Sequence, residues 1–195
     1  MILLTAVIAG LTFGLIRAKI GNRPYRPFPI RWGWMVGVAL ILQWLAFGFP
    51  LTRAIYPDEA ASISLVLSQF ILLVFAWFNR KMPGFWLLTT GLVLNLLVIT
   101  LNGGFMPISP ETVQWLRGDS ATAGWEVGER LGTGKDIVLP VEQTKLELLS
   151  DRFRTPDNPY YRVAFSAGDV LIALGAFWLL WSVGGQTERN PGKET

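Results

Sequence analysis

The chain contains no histidine and no cysteine. Those two absences exclude disulfides, thiolate zinc sites, histidine-ligated haem, imidazole-ligated chlorophyll and any Cys or His general base. Charge is also sparse: 16% of the 195 residues are charged, against 51% hydrophobic residues and nine Trp. That balance is too apolar for a soluble domain of this size and places the chain in a membrane. The formal charge of +3 is concentrated in one short loop. Such placement points to lipid headgroups and away from nucleic acid.

The apolar runs predict an all-α integral membrane protein with five transmembrane helices, at about 1–16, 33–49, 63–78, 85–101 and 164–183, and a long outer loop at 102–163. The first run has no basic region before it and a basic cluster directly after it, the reverse of a cleaved signal peptide. Its end can extend towards Ile20 if Arg17 and Lys19 snorkel. Ala6, Gly10 and Gly14, and again Gly33 and Gly37, form small-xxx-small faces suited to close helix packing or to a partner. Arg17, Lys19, Arg23, Arg26 and Arg31 follow the first helix with no acid among them, so this loop is cytoplasmic and apposed to anionic lipid. Asn79, Arg80 and Lys81 make a second basic turn. The N-terminus is therefore outside and the C-terminal tail, GGQTERNPGKET, inside. The outer loop balances seven bases (Arg117, Arg130, Lys135, Lys145, Arg152, Arg154, Arg162) against nine acids (Glu111, Asp119, Glu126, Glu129, Asp136, Glu142, Glu147, Asp151, Asp157), which suits the outer face.

The stretch from Phe85 to Pro107 organises the rest. Asn95 and Asn102 are about two helical turns apart and so project from the same side. Asn102-Gly103-Gly104 supplies a helix stop, and Pro107 prevents the helix from resuming. In the loop, Ser109-Pro110-Glu111 opens a short helix through Leu116 that Gly118 can end. Val113, Trp115 and Leu116 would let that helix lie on the membrane surface. The Gly-rich segment from Trp125 to Asp136 is expected to be mobile, while 137–141 and 146–149 are apolar enough to fold back onto the bundle. Gly132-Thr133-Gly134-Lys135 imitates a phosphate loop, but Glu129 stands where its first glycine belongs and Asp136 where Ser or Thr must hold magnesium.

Counting depth from the inner helix ends at about 1.5 Å per residue puts Gln43, Gln69 and Asn95 near the midplane and Asp169 in the outer third. A carboxylate inside a spanning segment normally faces a partner or water. Two arrangements remain open. The polar side chains converge in a pocket that opens outward beneath the Asn102-Gly103-Gly104 turn, or they form separate hydrogen bonds between helices.

Asn95 with Asn102-Gly103-Gly104-Phe105-Met106-Pro107, the stretch Lys135-Asp136-Ile137-Val138-Leu139 through Thr144, Leu146 and Leu149-Ser150-Asp151, and Phe165-Ser166-Ala167-Gly168-Asp169-Val170 carry a resemblance. On them the chain resembles an uncharacterised family of small bacterial integral membrane proteins, a domain of unknown function. The resemblance spans the chain, most specifically its second half. It implies a five-helix membrane protein with a structured outer loop and implies no reaction. Members often have a His where this chain reads Gly134-Lys135, which argues against an imidazole-dependent activity general to the fold.

The leading expectation is a pocket that binds a small ligand or ion, with Asp169 as charge, Asn95 and Asn102 as orienting amides, and Gly103, Gly104, Gln43 and Gln69 around them. No cofactor or metal is expected. The rival is a non-catalytic accessory or assembly subunit, with the glycine faces and outer loop as surfaces for a protein partner or a second copy. An enzyme ranks third, because Asp169 has no paired acid, His or thiol with which to share proton transfer. A transporter of five helices without visible inverted repeats would need to dimerise.

Overall fold

A computed structural model of the chain describes residues 2–25, 28–53, 55–118, 124–156, 158 and 161–184. It is mostly helical, with α1 (Ile2–Ile20), α2 (Trp34–Gln43), α3 (Pro50–Arg53), α4 (Asp58–Phe78), α5 (Phe85–Leu101), α6 (Pro110–Arg117) and α7 (Ala167–Val183). The strands are short: β1 (Met106–Ile108), β2 (Asp136–Val138), β3 (Phe153–Arg154) and β4 (Ala164–Phe165). Two helices, α1 and α4, are long and apolar enough to cross a membrane; Trp34–Gly48, α5 and α7 are apolar but shorter.

The main helix contacts run in the order α1, α7, α5, α4, α2. Glycines set the closest of them. A Cβ on Gly14 would come 2.6 Å from the Leu180 carbonyl oxygen, and one on Gly10 would come 2.9 Å from that of Phe177, so the small-residue face of α1 is covered by α7. Between α5 and α7, a Cβ on Gly91 would stand 2.5 Å from the Gly168 carbonyl oxygen, and one on Gly175 2.7 Å from that of Gly84. The other glycine face is open: Gly37 has nothing within 4 Å.

Several helix boundaries differ from the sequence expectation. The last helix begins at Ala167, not at 164, because Ser166 caps it and residues 164–165 pair with β3 (Phe153↔Phe165, Arg154↔Ala164). Asp169 accordingly lies in the first helical turn, where the helix dipole favours an anion. The helix expected at 63 starts at Asp58, with Asp58 and Glu59 in its first turn. The helix expected over 33–49 loses α geometry at Gln43, continues as a π turn over Trp44–Gly48, and restarts at Pro50 as α3. The first helix extends to Ile20, with Met1 outside the described residues. α5 keeps the expected bounds.

The long loop between α5 and α7 has its own small core. Ser109 caps α6 by accepting from the Thr112 amide (3.2 Å), and Gly118 closes it at φ 58°. Val113 does not reach a membrane surface. It is fully buried with Ile108 and Val138, against which Leu116, Trp125 and Leu131 pack, and Trp115 carries the guanidinium groups of Arg154 and Arg162 on its ring. β2 lies parallel to β1 (Met106↔Asp136, Pro107↔Ile137, Ile108↔Val138), so the run expected to fold back onto the bundle over 137–141 pairs instead with the strand that follows α5. The glycine-rich segment expected to be mobile is tied down by Arg130. Its side chain, 4% exposed, bonds Asp58 (2.9 Å) and the carbonyls of Gly134 (2.6 Å) and Thr133 (2.7 Å), under the rings of Phe47 and Phe105.

The α5–α7 contact yields a paired prediction. Gly91→Ala should lower the stability of the detergent-solubilised protein by about 1–3 kcal/mol through overpacking. Gly37→Ala should leave stability unchanged or raise it by up to about 1 kcal/mol, the helix-propensity gain. Equal unfolding midpoints for the two variants would disprove the close approach.

Candidate functional site

The site is built where the C-terminal end of α5 and the N-terminal end of α7 meet the loop between them. Gly168 has no Cβ, and the Asn95 side chain fills the space one would take, colliding with any Cβ through Oδ1. From there Asn95 joins a closed ring. Its Nδ2 donates to Asp169 Oδ1 (2.8 Å), and its Oδ1 accepts from Ser166 Oγ (2.9 Å). Ser166 Oγ also accepts from the Asp169 amide (3.0 Å), while the Ser166 amide donates to Asp169 Oδ2 (3.3 Å), a capping box. Every polar atom of the Asn95 amide end thus faces a complementary group, which fixes its orientation.

A second group approaches from the loop. Lys135 Nζ donates to Asp136 Oδ1 (2.9 Å) and to Asp151 Oδ2 (2.7 Å). Asp151 is 3% exposed, its amide donates to the Pro107 carbonyl (3.1 Å), and its Oδ1 is buried with no hydrogen-bond partner. Desolvation opposes the charge of Lys135, but Asp136, Asp151 and Asp169 outweigh it and hold the ammonium above its ordinary range. Burial raises the Asp151 carboxyl to about 6; Lys135 pulls it down, and Asp136 and Asp169 push it up again. The charge of Asp169 therefore acts on both loop groups, linking the Asn95 ring to the Lys135 cluster. The cluster is not sealed: the Lys135 side chain is 44% exposed and Asp169 is half-buried.

A family model matches residues 27–181, which take in this whole arrangement. The chain belongs to DUF5317, a family of unknown function. No curated protein and no solved structure matches it. The DUF5317 match includes Asn95, Lys135, Asp136, Asp151, Ser166 and Asp169 and leaves out α1.

Of the residues singled out in the sequence, Asn95 and Asp169 are brought together and the others lie apart from them. Asn102 donates to the Val98 and Lys145 carbonyls (2.7 and 2.9 Å) and accepts from the Lys145 amide (3.0 Å), so its amide is fully engaged in anchoring the loop. Gly103 and Gly104 adopt φ 77° and 86°. Gly103 lines a separate cavity of about 520 Å³ with Asp58, Phe105, Glu129 and Arg130. Gly104 packs so tightly that a Cβ would come 2.6 Å from that of Ser62. Gln43 donates to Ser68 Oγ (2.8 Å), and Gln69 keeps a buried Oε1 without a partner.

Sequence reasoning passed over Lys135, Asp136, Asp151 and Ser166 as site residues. For Ser166 a signal was present, because Ser-x-x-Asp ahead of an apolar run is a capping pattern. Lys135, Asp136 and Asp151 stood in the stretch that carries the family resemblance, but as chemistry Lys135 and Asp136 were weighed as a failed phosphate loop. Among the described residues no group of His, Cys, Asp or Glu is arranged to hold a metal ion.

The raised Asp151 has a definite pH signature. The folded chain keeps this proton up to about pH 6, whereas an unfolded carboxyl releases it at its ordinary value of 3.8. The folded state binds more protons in that window, so this contribution to stability falls as pH rises from about 4 to about 6. Thermal melts in detergent should show the decline in the wild type and its loss in Asp151→Asn. Identical slopes in both proteins would remove Asp151 as the titrating group.

Proposed function

We propose that the chain is a multi-pass protein of the cytoplasmic membrane, with five transmembrane helices, its N-terminus outside and its C-terminus inside, that binds a small cationic ligand at the Asp169–Asp151–Lys135 cluster on its outer side. Two long apolar helices and three shorter ones support the membrane reading. So does the exposure of Leu4, Ile8, Phe13, Leu40, Ile63 and Phe70 along their outer faces, a quantity of apolar surface that water would not tolerate on a monomer. The 17 residues of α5 reach about 25 Å, short of a hydrocarbon core of about 30 Å. Local thinning and the interfacial Trp77 and Trp86 accommodate such a mismatch. The acid-free cations Arg17, Lys19, Arg23 and Arg31 favour the inner leaflet and its anionic lipid; Arg26, their fifth member, lies outside the described residues.

The observation that carries the binding reading is the buried, unpartnered Oδ1 of Asp151, whose Oδ2 shares the Lys135 ammonium with Asp136. A buried acceptor left unmade costs about 1–3 kcal/mol, and a donor-bearing cation such as a protonated amine relieves it. In this reading Asp169 and Asp151 supply charge, Asn95 orients Asp169, and Lys135 offsets the repulsion that would splay the carboxylates of the empty site apart. Asn102, Gly103 and Gly104 act by seating the loop.

A second reading, an accessory subunit of a membrane complex or a homo-oligomer, is favoured by the open face at Gly37. One experiment separates the two: native mass spectrometry of protein gently extracted from its own membrane, for wild type, Asp169→Asn and Asp151→Asn. The binding reading expects a low-mass adduct on wild type that both variants lose. A bare wild-type monomer, or an adduct indifferent to both substitutions, would sink it, and stable association with larger chains would favour the second reading.

A further inference from the structure

At the opposite end of the bundle, α1 and α7 leave a groove of about 750 Å³ whose walls are Phe13, Ile16, Ile20, Phe177 and Trp181 and whose lining includes Arg17 and Arg23 and, among the described residues, no acid. We propose that this groove seats one anionic phospholipid, with an acyl chain along the aromatic wall and the phosphate between Arg17 and Arg23. The inference rests on the membrane reading given above and is independent of the cluster on the outer side.

Three features give the groove this character. Phe13 meets Phe177 edge-on at 6.3 Å, so the wall is a fixed apolar surface contributed by both helices. The Arg17 guanidinium lies 4.3 Å from the centre of the Trp181 ring. Stacking there engages the flat face of the guanidinium and leaves its N–H edge for bidentate contact with a phosphate. Third, the chain turns back at the end of α1, with the Gly21 amide on the Arg17 carbonyl (3.0 Å) and the Arg23 amide on that of Ala18 (2.9 Å), which returns Arg23 to the groove. Tyr25 then donates to the Leu180 carbonyl (3.2 Å) and ties this turn to α7. An apolar channel ending in two arginines complements a lipid that is greasy along its length and negative at its head. The volume falls within the usual range of small-molecule sites, about 300–1,000 Å³. Lys19 and Arg31 belong to the same basic segment but do not line the groove, so they serve as internal controls.

The test is native mass spectrometry of the full chain in mild detergent, titrated with an equimolar mixture of phosphatidylglycerol and phosphatidylcholine of identical acyl chains. Two headgroup-facing cations predict that the first lipid retained is phosphatidylglycerol, by roughly thirty-fold over phosphatidylcholine. Arg17→Gln with Arg23→Gln should reduce that preference to near unity, while Lys19→Gln with Arg31→Gln should leave most of it. Equal retention of the two lipids by the wild type overturns the seat, as does an equal loss of preference in both double variants, which would mark diffuse attraction to the basic segment. Failure to retain either lipid, in a protein that stays monodisperse without detergent, overturns the membrane reading as well.

Discussion

The backbones of α5 and α7 touch, and everything at the end of the bundle that meets the loop depends on that contact. Gly91 faces Gly168 and Gly84 faces Gly175 at distances that admit no Cβ between them. Because Gly168 offers no side chain, the Asn95 amide can occupy that space and reach the first turn of α7. There it meets Ser166 and Asp169, two groups whose positions the helix cap has already fixed. Close packing and polar satisfaction are thus one event at this junction. A larger residue at 91 or 168 would separate the helices and leave the amide and the carboxylate unmatched in a buried setting, where an unmade hydrogen bond is expensive.

The loop is held to this junction by a few polar anchors and by little apolar area. Its own core is essentially Ile108, Val113 and Val138, too small to order so long a segment alone. Asn102 binds the Lys145 backbone in both directions, Arg130 is buried under two aromatic rings with its donors on Asp58 and on neighbouring carbonyls, and Met106 donates to the Lys135 carbonyl (2.9 Å). Each anchor lies close to the end of an apolar helix, so ordering the loop also satisfies the groups at which those helices stop. Leu149 closes the arrangement by packing onto Leu65, Val98, Ile99 and Met106, a cluster shared by the bundle and β1.

Much of this was legible in the sequence wherever the determinant is local. The bounds of α5 and the capped start and glycine stop of α6 follow from residues adjacent in the chain. Of the apolar runs 137–141 and 146–149 expected to fold back onto the bundle, Leu149 packs on it, whereas residues 136–138 pair with β1. The start of α7 was misplaced because hydrophobicity continues through Ala164 and Phe165, whereas the cap that begins the helix is a hydrogen-bond pattern at Ser166. The common face of Asn95 and Asn102 was correctly periodic, yet one amide turns to α7 and the other to the loop, a choice that only the tertiary neighbours make. Lys135 and Asp151 were illegible as a pair: they meet through the β1–β2 pairing and the Asp151 amide on Pro107, and neither residue carries a local mark of that encounter.

The charge balance at this encounter is the reason to regard it as more than scaffolding. A fold selected for stability alone has an inexpensive alternative at position 151, because a buried ion pair replaced by well-packed apolar residues is often no less stable. Here one ammonium is shared by two carboxylates, one of them is buried with an oxygen unmatched, and burial moves its proton affinity towards the physiological range. Each departure by itself destabilises, and nothing within the loop compensates for all of them. Departures from local consistency tend to gather where a protein does its work. Their concentration at one open corner, with the Asn95–Ser166–Asp169 ring beneath it, is what distinguishes this corner from the separate interhelical hydrogen bond between Gln43 and Ser68.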